Sequence, residues 1–209
     1  MKRYLKNKEL LTKNFSYDQT MEHDACGVGM IATFDGKKSR KIVEYGIEAL
    51  KAIWHRGAVD ADGKSGDGAG IQLEIAPEFF KEKIIATGNK YDETKRICVG
   101  MIFLPRTDYV EQEKCREIIE SVLLEENYSI YGWRQVPYNS NVLGETAEQS
   151  RPEIAQVIFK KNKNLETNDL ERNLFEARKK IEKLARKNQL KNFYICSFSS
   201  RSIVYKGMF

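Results

Sequence analysis

The sequence predicts an α+β fold, and three observations carry that prediction. Strand-like runs recur through the 209 residues, either alternating with period two or continuously apolar. Between them lie stretches with apolar residues at three- and four-residue spacing, the mark of amphipathic helices. The two types do not follow a strict strand–helix alternation, which argues against a doubly wound parallel sheet. Apolar residues make up 41% and charged residues 31%, the composition of a soluble globular chain.

Residues 1–25 are polar, with scattered apolar side chains and no sustained period, and read as a leader or surface arm. From Cys26 the texture changes. Cys26–Phe34 is apolar and glycine-punctuated, is bounded by the turn pair Asp35-Gly36, and reads as a strand. Gly27 and Gly29 inside it predict close approach of another backbone or a ligand. Ser39 is a cap for a helix whose apolar face holds Ile42, Val43, Gly46, Ile47, Leu50, Ile53 and Trp54. That helix is expected to stop near His55-Arg56-Gly57. Five of the fourteen glycines then fall between 57 and 70, which predicts a shaped loop. It feeds a half-buried strand, Ile71–Ile75.

Further on, Arg96–Leu104 reads as a buried strand, and Glu111–Glu126 as a helix with Cys115, Ile118, Ile119, Val122 and Leu123 inward. Ser129–Val136 and Ile154–Phe159 are strands. Asp169–Asn188 is a charged amphipathic helix with Leu170, Leu174, Ala177, Ile181 and Leu184 on its inner face. Phe193–Phe198 and Ile203–Tyr205 are read as a hairpin turning near Ser200-Arg201.

Several functions are excluded. Net charge is +5, with thirty acidic residues interspersed among thirty-five basic ones, so no basic stripe for nucleic acid exists. No apolar run approaches the roughly 18 residues a membrane helix needs. The four cysteines (26, 98, 115, 196) and two histidines (23, 55) have no zinc or iron–sulfur spacing. Scattered thiols without a signal peptide fit a reducing, cytoplasmic compartment. Gly63-Lys64-Ser65 ends like a phosphate-binding loop, but position 58 is Ala, and Asp60 and Asp62 would repel a phosphate. Gly66-Asp67-Gly68 fails the dinucleotide pattern at Ile71. Cys98, Cys115 and Cys196 read as small core residues. Cys26, at a strand start before two glycines, is open to a structural or a nucleophilic role.

Three segments carry a family resemblance. Glu22-His-Asp-Ala-Cys-Gly-Val-Gly-Met-Ile-Ala32 resembles the leader-to-nucleophile junction of glutamate synthase large subunits. The block from Gly46 to Ile71, with His55-Arg-Gly-Ala58 and Gly66-Asp-Gly-Ala-Gly70, is similar to the next block of that family. Ser200–Met208 resembles a later segment, so the likeness runs from about residue 20 to the end.

The resemblance implies a class II glutamine amidotransferase domain (residues 26–209) of the N-terminal-nucleophile type, a four-layer αββα sandwich. It implies a removed leader (1–25), leaving Cys26 as catalytic first residue, with Arg56 near it as a substrate-pocket residue. Asp67 and Gly68 are expected to shape the loop. The implied chemistry is glutamine hydrolysis through a Cys26 thioester, supplying ammonia for glutamate synthesis from 2-oxoglutarate. FMN and an iron–sulfur cluster would serve the later chemistry, with no site for either in this segment. Implied partners are synthase domains of the same polypeptide and a reductase subunit or ferredoxin. The family's oxyanion and carboxylate-binding motifs follow the segment matched by 200–208. These 209 residues alone are therefore expected to be an incomplete, largely inactive half-domain. The alternatives are another glutamine-dependent synthase, or an inactive remnant serving as an interaction module.

Overall fold

The computed structural model describes residues 2–13, 27–53 and 57–207. The elements are α1 (Lys2–Lys13), α2 (Arg40–Ala52), β1 (Ala69–Glu74), α3 (Pro77–Ala86), β2 (Ile97–Leu104), α4 (Tyr109–Glu125), β3 (Tyr128–Gln135), α5 (Glu145–Ser150), β4 (Glu153–Lys161), α6 (Thr167–Lys187), β5 (Tyr194–Ser199) and β6 (Ser202–Gly207). Among the described residues these form two antiparallel sheets, a four-stranded one in the order β3-β4-β2-β5 and a two-stranded one of β1 and β6.

The continuous apolar run of β2 is explained by cover on both faces of the larger sheet. Cys98, Ile102 and Leu104 share one core with Cys115, Ile119, Val122 and Leu123 of α4 and Leu170, Leu174, Ala177 and Ile181 of α6. Ile97, Val99 and Met101 point the other way, into a second core with Phe80 and Ile84 of α3 and Ile203 of β6. Gly100 lies where the sheet is tightest. A Cβ there would stand 2.7 Å from both Phe198 Cδ2 and Val157 Cγ1. An irregularity between Ile130 and Gly132 lets Tyr131 join the second core while Trp133 packs against the first. Gly132 has φ 148°, a conformation that glycine tolerates.

Both long helices follow their sequence pattern. Asp108 caps α4 by accepting from the Glu111 amide at 2.9 Å, and Ser39 caps α2 by accepting from the Lys41 amide at 3.2 Å. In α2, the predicted positions Ile42, Val43, Gly46, Ile47 and Leu50 are its half-buried ones, and none of its residues is fully buried. It lies beside β1, where a Cβ on Gly46 would stand 3.1 Å from Ile71 Cδ1.

Some expectations are corrected. Residues 27–33 are not a strand, because no neighbouring strand among the described residues offers them a ladder; Val28, Met30 and Phe34 are exposed. The arm contains α1, with Leu5 and Leu10 more than half exposed. The helix α2 closes at Ala52, before the expected stop. The β5–β6 hairpin does not form. Instead β6 pairs along its whole length with β1, from Ala69↔Gly207 to Glu74↔Ser202. The chain is turned from one sheet to the other at Ser199–Ser202. There Glu171 of α6 accepts from Ser199 Oγ, Ser200 N and Ser200 Oγ at 2.6–2.9 Å, and Ser199 Oγ accepts from the Arg201 and Ser202 amides. Five hydrogen bonds fix a corner where the apolar pattern alone suggested a simple reversal.

Candidate active site

Cys26 and Arg56, the two residues the sequence nominates, lie outside the described residues, as do His23 and His55. Their flanks are described. A Cβ on Gly27 would stand 2.8 Å from Ile53 Cδ1, so the residue after Cys26 lies against the residue three before Arg56. The neighbour found at Gly27 is a side chain, not the backbone or ligand that its place in the sequence predicts. At Gly29 nothing among the described residues lies within 4 Å of such an atom.

The loop from Gly57 to Gly68 is held at its base and at its tip. At the base, the Asp67 carboxylate accepts from the Ala58 amide at 2.8 Å, and Val59 bridges Gly66. At the tip, Asp62 Oδ1 accepts from the Lys64 and Ser65 amides at 2.9 and 2.7 Å. Gly63 and Gly68 take positive φ (70° and 95°), as the bends require. Asp67 thus shapes the loop, as expected.

The tip also docks on a distant helix. Asp62 Oδ2 accepts from Ser65 Oγ at 2.6 Å and from the Thr146 amide at 3.2 Å, and Ser65 Oγ accepts from the Ala147 amide at 3.0 Å. Thr146 and Ala147 supply the second and third amides of α5, whose N-cap, Gly144, has no side chain to satisfy them. The loop therefore caps α5 from more than 80 residues away. Gly144 has to be glycine here: a Cβ would stand 2.5 Å from the Ser65 amide nitrogen and closer still to Asp62 Oδ2 and Ser65 Oγ. The bond from Ser65 Oγ, then the Ser65, Lys64 and Thr146 amides, holds the Asp62 carboxyl well below the usual carboxylate range. The Asp62–Ser65 turn is legible in the sequence, but its partner is not, because α5 is six residues long and carries no periodic signal.

Between the two sheets opens a cleft of about 1090 Å³, lined by Leu50, Ile71, Met101, Phe103 and Tyr205 among others. Arg106 and Arg151 stand in its wall, but both are engaged by Glu148, at 2.7 and 2.8 Å. Arg151 also stacks 4.2 Å from the Tyr138 ring centroid. The hydrogen bond from Arg151, ahead of its charge and that of Arg106, holds the Glu148 carboxyl below its ordinary value. Glu148 thus occupies Arg106 Nη1 and Arg151 Nε and Nη2, while Arg151 Nη1 is buried without a hydrogen-bond partner among the described residues.

The remaining thiols are chemically quiet. Burial pushes Cys98 and Cys115 up to about 12 and raises Cys196, so all three are protonated at neutral pH. They sit in three separate elements. No group of three or more His, Cys, Asp or Glu that could hold a metal comes together among the described residues, and these thiols do not fit an iron–sulfur cluster. No helix among them is long and apolar enough to cross a membrane.

The antiparallel two-sheet architecture accords with a family match that spans residues 26–209: the chain belongs to the class II glutamine amidotransferases. Within that class it is a glutamine amidotransferase domain homologous to the N-terminal regions of glutamate synthase large chains. It is 51% identical over 203 residues to the glutamate synthase [NADPH] large chain of Azospirillum brasilense, covering 97% of this chain and 13% of that one. It is 45% identical to the ferredoxin-dependent glutamate synthase of Pyropia yezoensis, covering 90% of this chain and 12% of the relative. Against ferredoxin-dependent glutamate synthase 1 of Arabidopsis thaliana it is 40% identical, covering 91% and 12%. The chain thus spans about an eighth of the length of the curated relatives it matches.

Proposed function

We propose that Cys26 is the nucleophile of a glutaminase site in this domain and that Arg56 forms part of its pocket wall. The single observation that carries the reading is the Gly27–Ile53 contact, which brings the chain beside Cys26 against the end of α2 that leads into Arg56. A guanidinium there would favour a thiolate and hold a carboxylate. Two properties of Cys26 then do the chemistry. Removal of residues 1–25 frees its α-amine, with a pKa of about 7.7–8.0, next to a thiol of about 8.5. The amine takes the thiol proton as the sulfur attacks the carboxamide carbon, and returns it to the leaving ammonia. Water then cleaves the γ-glutamyl thioester. No histidine is required.

The complete domain in this reading is a four-layer αββα sandwich of the N-terminal-nucleophile type. Supporting it are two cores on opposite faces of the larger sheet, one closed by α4 and α6 and the other shared with β6. The ammonia serves glutamate synthesis in further domains of a longer cytoplasmic polypeptide, which also hold FMN and an iron–sulfur cluster and receive electrons from a reductase subunit or ferredoxin. The test is a glutamine-mimicking electrophile applied to the full-length protein. The adduct is expected on Cys26 and absent in Cys26→Ala. An adduct on another residue, or equal labelling of the variant, overturns the assignment.

A further inference from the structure

A second cleft, of about 600 Å³, opens on the side of the molecule where β1, the start of β2 and the Ser199–Ser202 corner meet. Four cations line it: Lys38, Lys95, Arg96 and Arg201. One carboxylate does, Glu74, and it pairs with Lys38 at 3.1 Å. Among the described residues the other three positive charges make no ion pair. Lys95 Nζ donates to the Asn162 carbonyl at 2.7 Å, and Arg201 donates to Asn168 Oδ1 at 2.6 Å. Both partners are neutral, so they fix the positions of the charges without cancelling them. Among the described residues the Arg96 guanidinium has no hydrogen-bond partner or ion pair.

The carboxylates nearest along the chain are taken elsewhere. Asp92 pairs with Lys160 at 2.8 Å and Glu93 with Lys81 at 2.7 Å. Behind the corner, Glu171 accepts from the neutral donors of Ser199 and Ser200, which hold its carboxylate in place without cancelling its charge, and among the described residues it makes no ion pair with Arg201. The walls are also tied to one another. The Arg201 carbonyl accepts from the Ile75 amide at 2.9 Å, which ties the corner to the end of β1. Three like charges held around one concavity raise each other's electrostatic energy, and a multiply charged anion relieves it. The volume falls within the range of small-molecule sites and is too confined for a folded partner.

We propose that this cleft is a binding site for a small anion carrying at least two negative charges, a phosphate ester or a dicarboxylate, held by Lys95, Arg96 and Arg201. The site is independent of Cys26 and of the glutaminase reading, and its test reads binding alone. Pyrophosphate and succinate are titrated separately into the full-length protein by calorimetry at low ionic strength, and again in Arg96→Ala, Arg201→Ala and Lys187→Ala. Lys187 is an exposed residue at the far end of α6 and matches the charge change. Saturable binding of at least one probe is expected. Each arginine variant should weaken it about tenfold or more, because a charge-assisted bond is lost, and Lys187→Ala by less than about twofold. Which probe binds more tightly identifies the source of the anion. No saturable binding of either probe, or equal weakening by Lys187→Ala, overturns the proposal.

Discussion

Ser65→Ala should loosen the glycine-rich loop and α5 together, by an amount the contacts define. Ser65 is 1% exposed, and its hydroxyl is the acceptor for the buried Ala147 amide at 3.0 Å. A methyl cannot accept that bond, and leaving a buried amide unmet costs about 1–3 kcal/mol. Gly144→Ala attacks the same contact from the other side. The backbone at 144 (φ −74°, ψ 167°) suits alanine, so the penalty comes only from the collision with Ser65 and Asp62, about 1–3 kcal/mol of overpacking. In the double variant the collision of the methyl at position 144 with Ser65 Oγ is gone, while those with Asp62 and the Ser65 amide remain. The two costs should then fall short of their sum by about 0.5 kcal/mol or more. Hydrogen exchange across 57–68 and 144–150 measures the opening free energy of both segments in all four proteins. Additivity within about 0.3 kcal/mol, or wild-type protection of Ala147 in Ser65→Ala, would refute the latch.

Other outcomes follow from the cores and charges. Iodoacetamide at about pH 8 should alkylate Cys26 in the native protein and leave Cys98 and Cys115 unmodified until unfolding, since burial holds both at about 12; peptide mapping reads this directly. Gly100→Ala should lower stability by about 1–3 kcal/mol, because its Cβ collides with Phe198 and Val157, and adding Val157→Ala should recover part of it; denaturant unfolding tests both. For Asp92, the bond from Lys160, then those from Thr94, depress the folded pKa. The stabilisation is therefore complete above the ordinary carboxylate range and is lost as pH falls through the depressed value. Lys160 is raised by the same bond, so the pair persists into alkaline solution. Asp92→Asn should accordingly differ from the parent by a constant amount between about pH 5 and 9, with the gap closing below about pH 4.

Most of the fold was legible in local pattern. The strands β2, β3 and β4 and the helices α4 and α6 lie within two residues of their expected limits, because each buries a periodic face in the two main cores. What failed depends on partners distant in the sequence. Residues 27–33 have strand chemistry, but a strand exists only with a neighbour. The β5–β6 corner reads as a hairpin until Glu171 and β1 are known to claim its two sides. The short helices α3 and α5 escaped for want of length, although Pro77 at a first helical position and the Phe80–Ile84 spacing signalled α3. At the site, motif resemblance named Cys26 and Arg56, and the loop's glycines foretold its bends. The capping of α5 by Asp62 and Ser65 was invisible, since nothing local to either segment points to the other.

The central claim is that Cys26 acts with its own free α-amine. N-terminal sequencing of the active full-length protein, purified from its own cells, tests it most directly. The account predicts a chain that begins at Cys26. An enzyme that hydrolyses glutamine while still beginning at Met1 would contradict it.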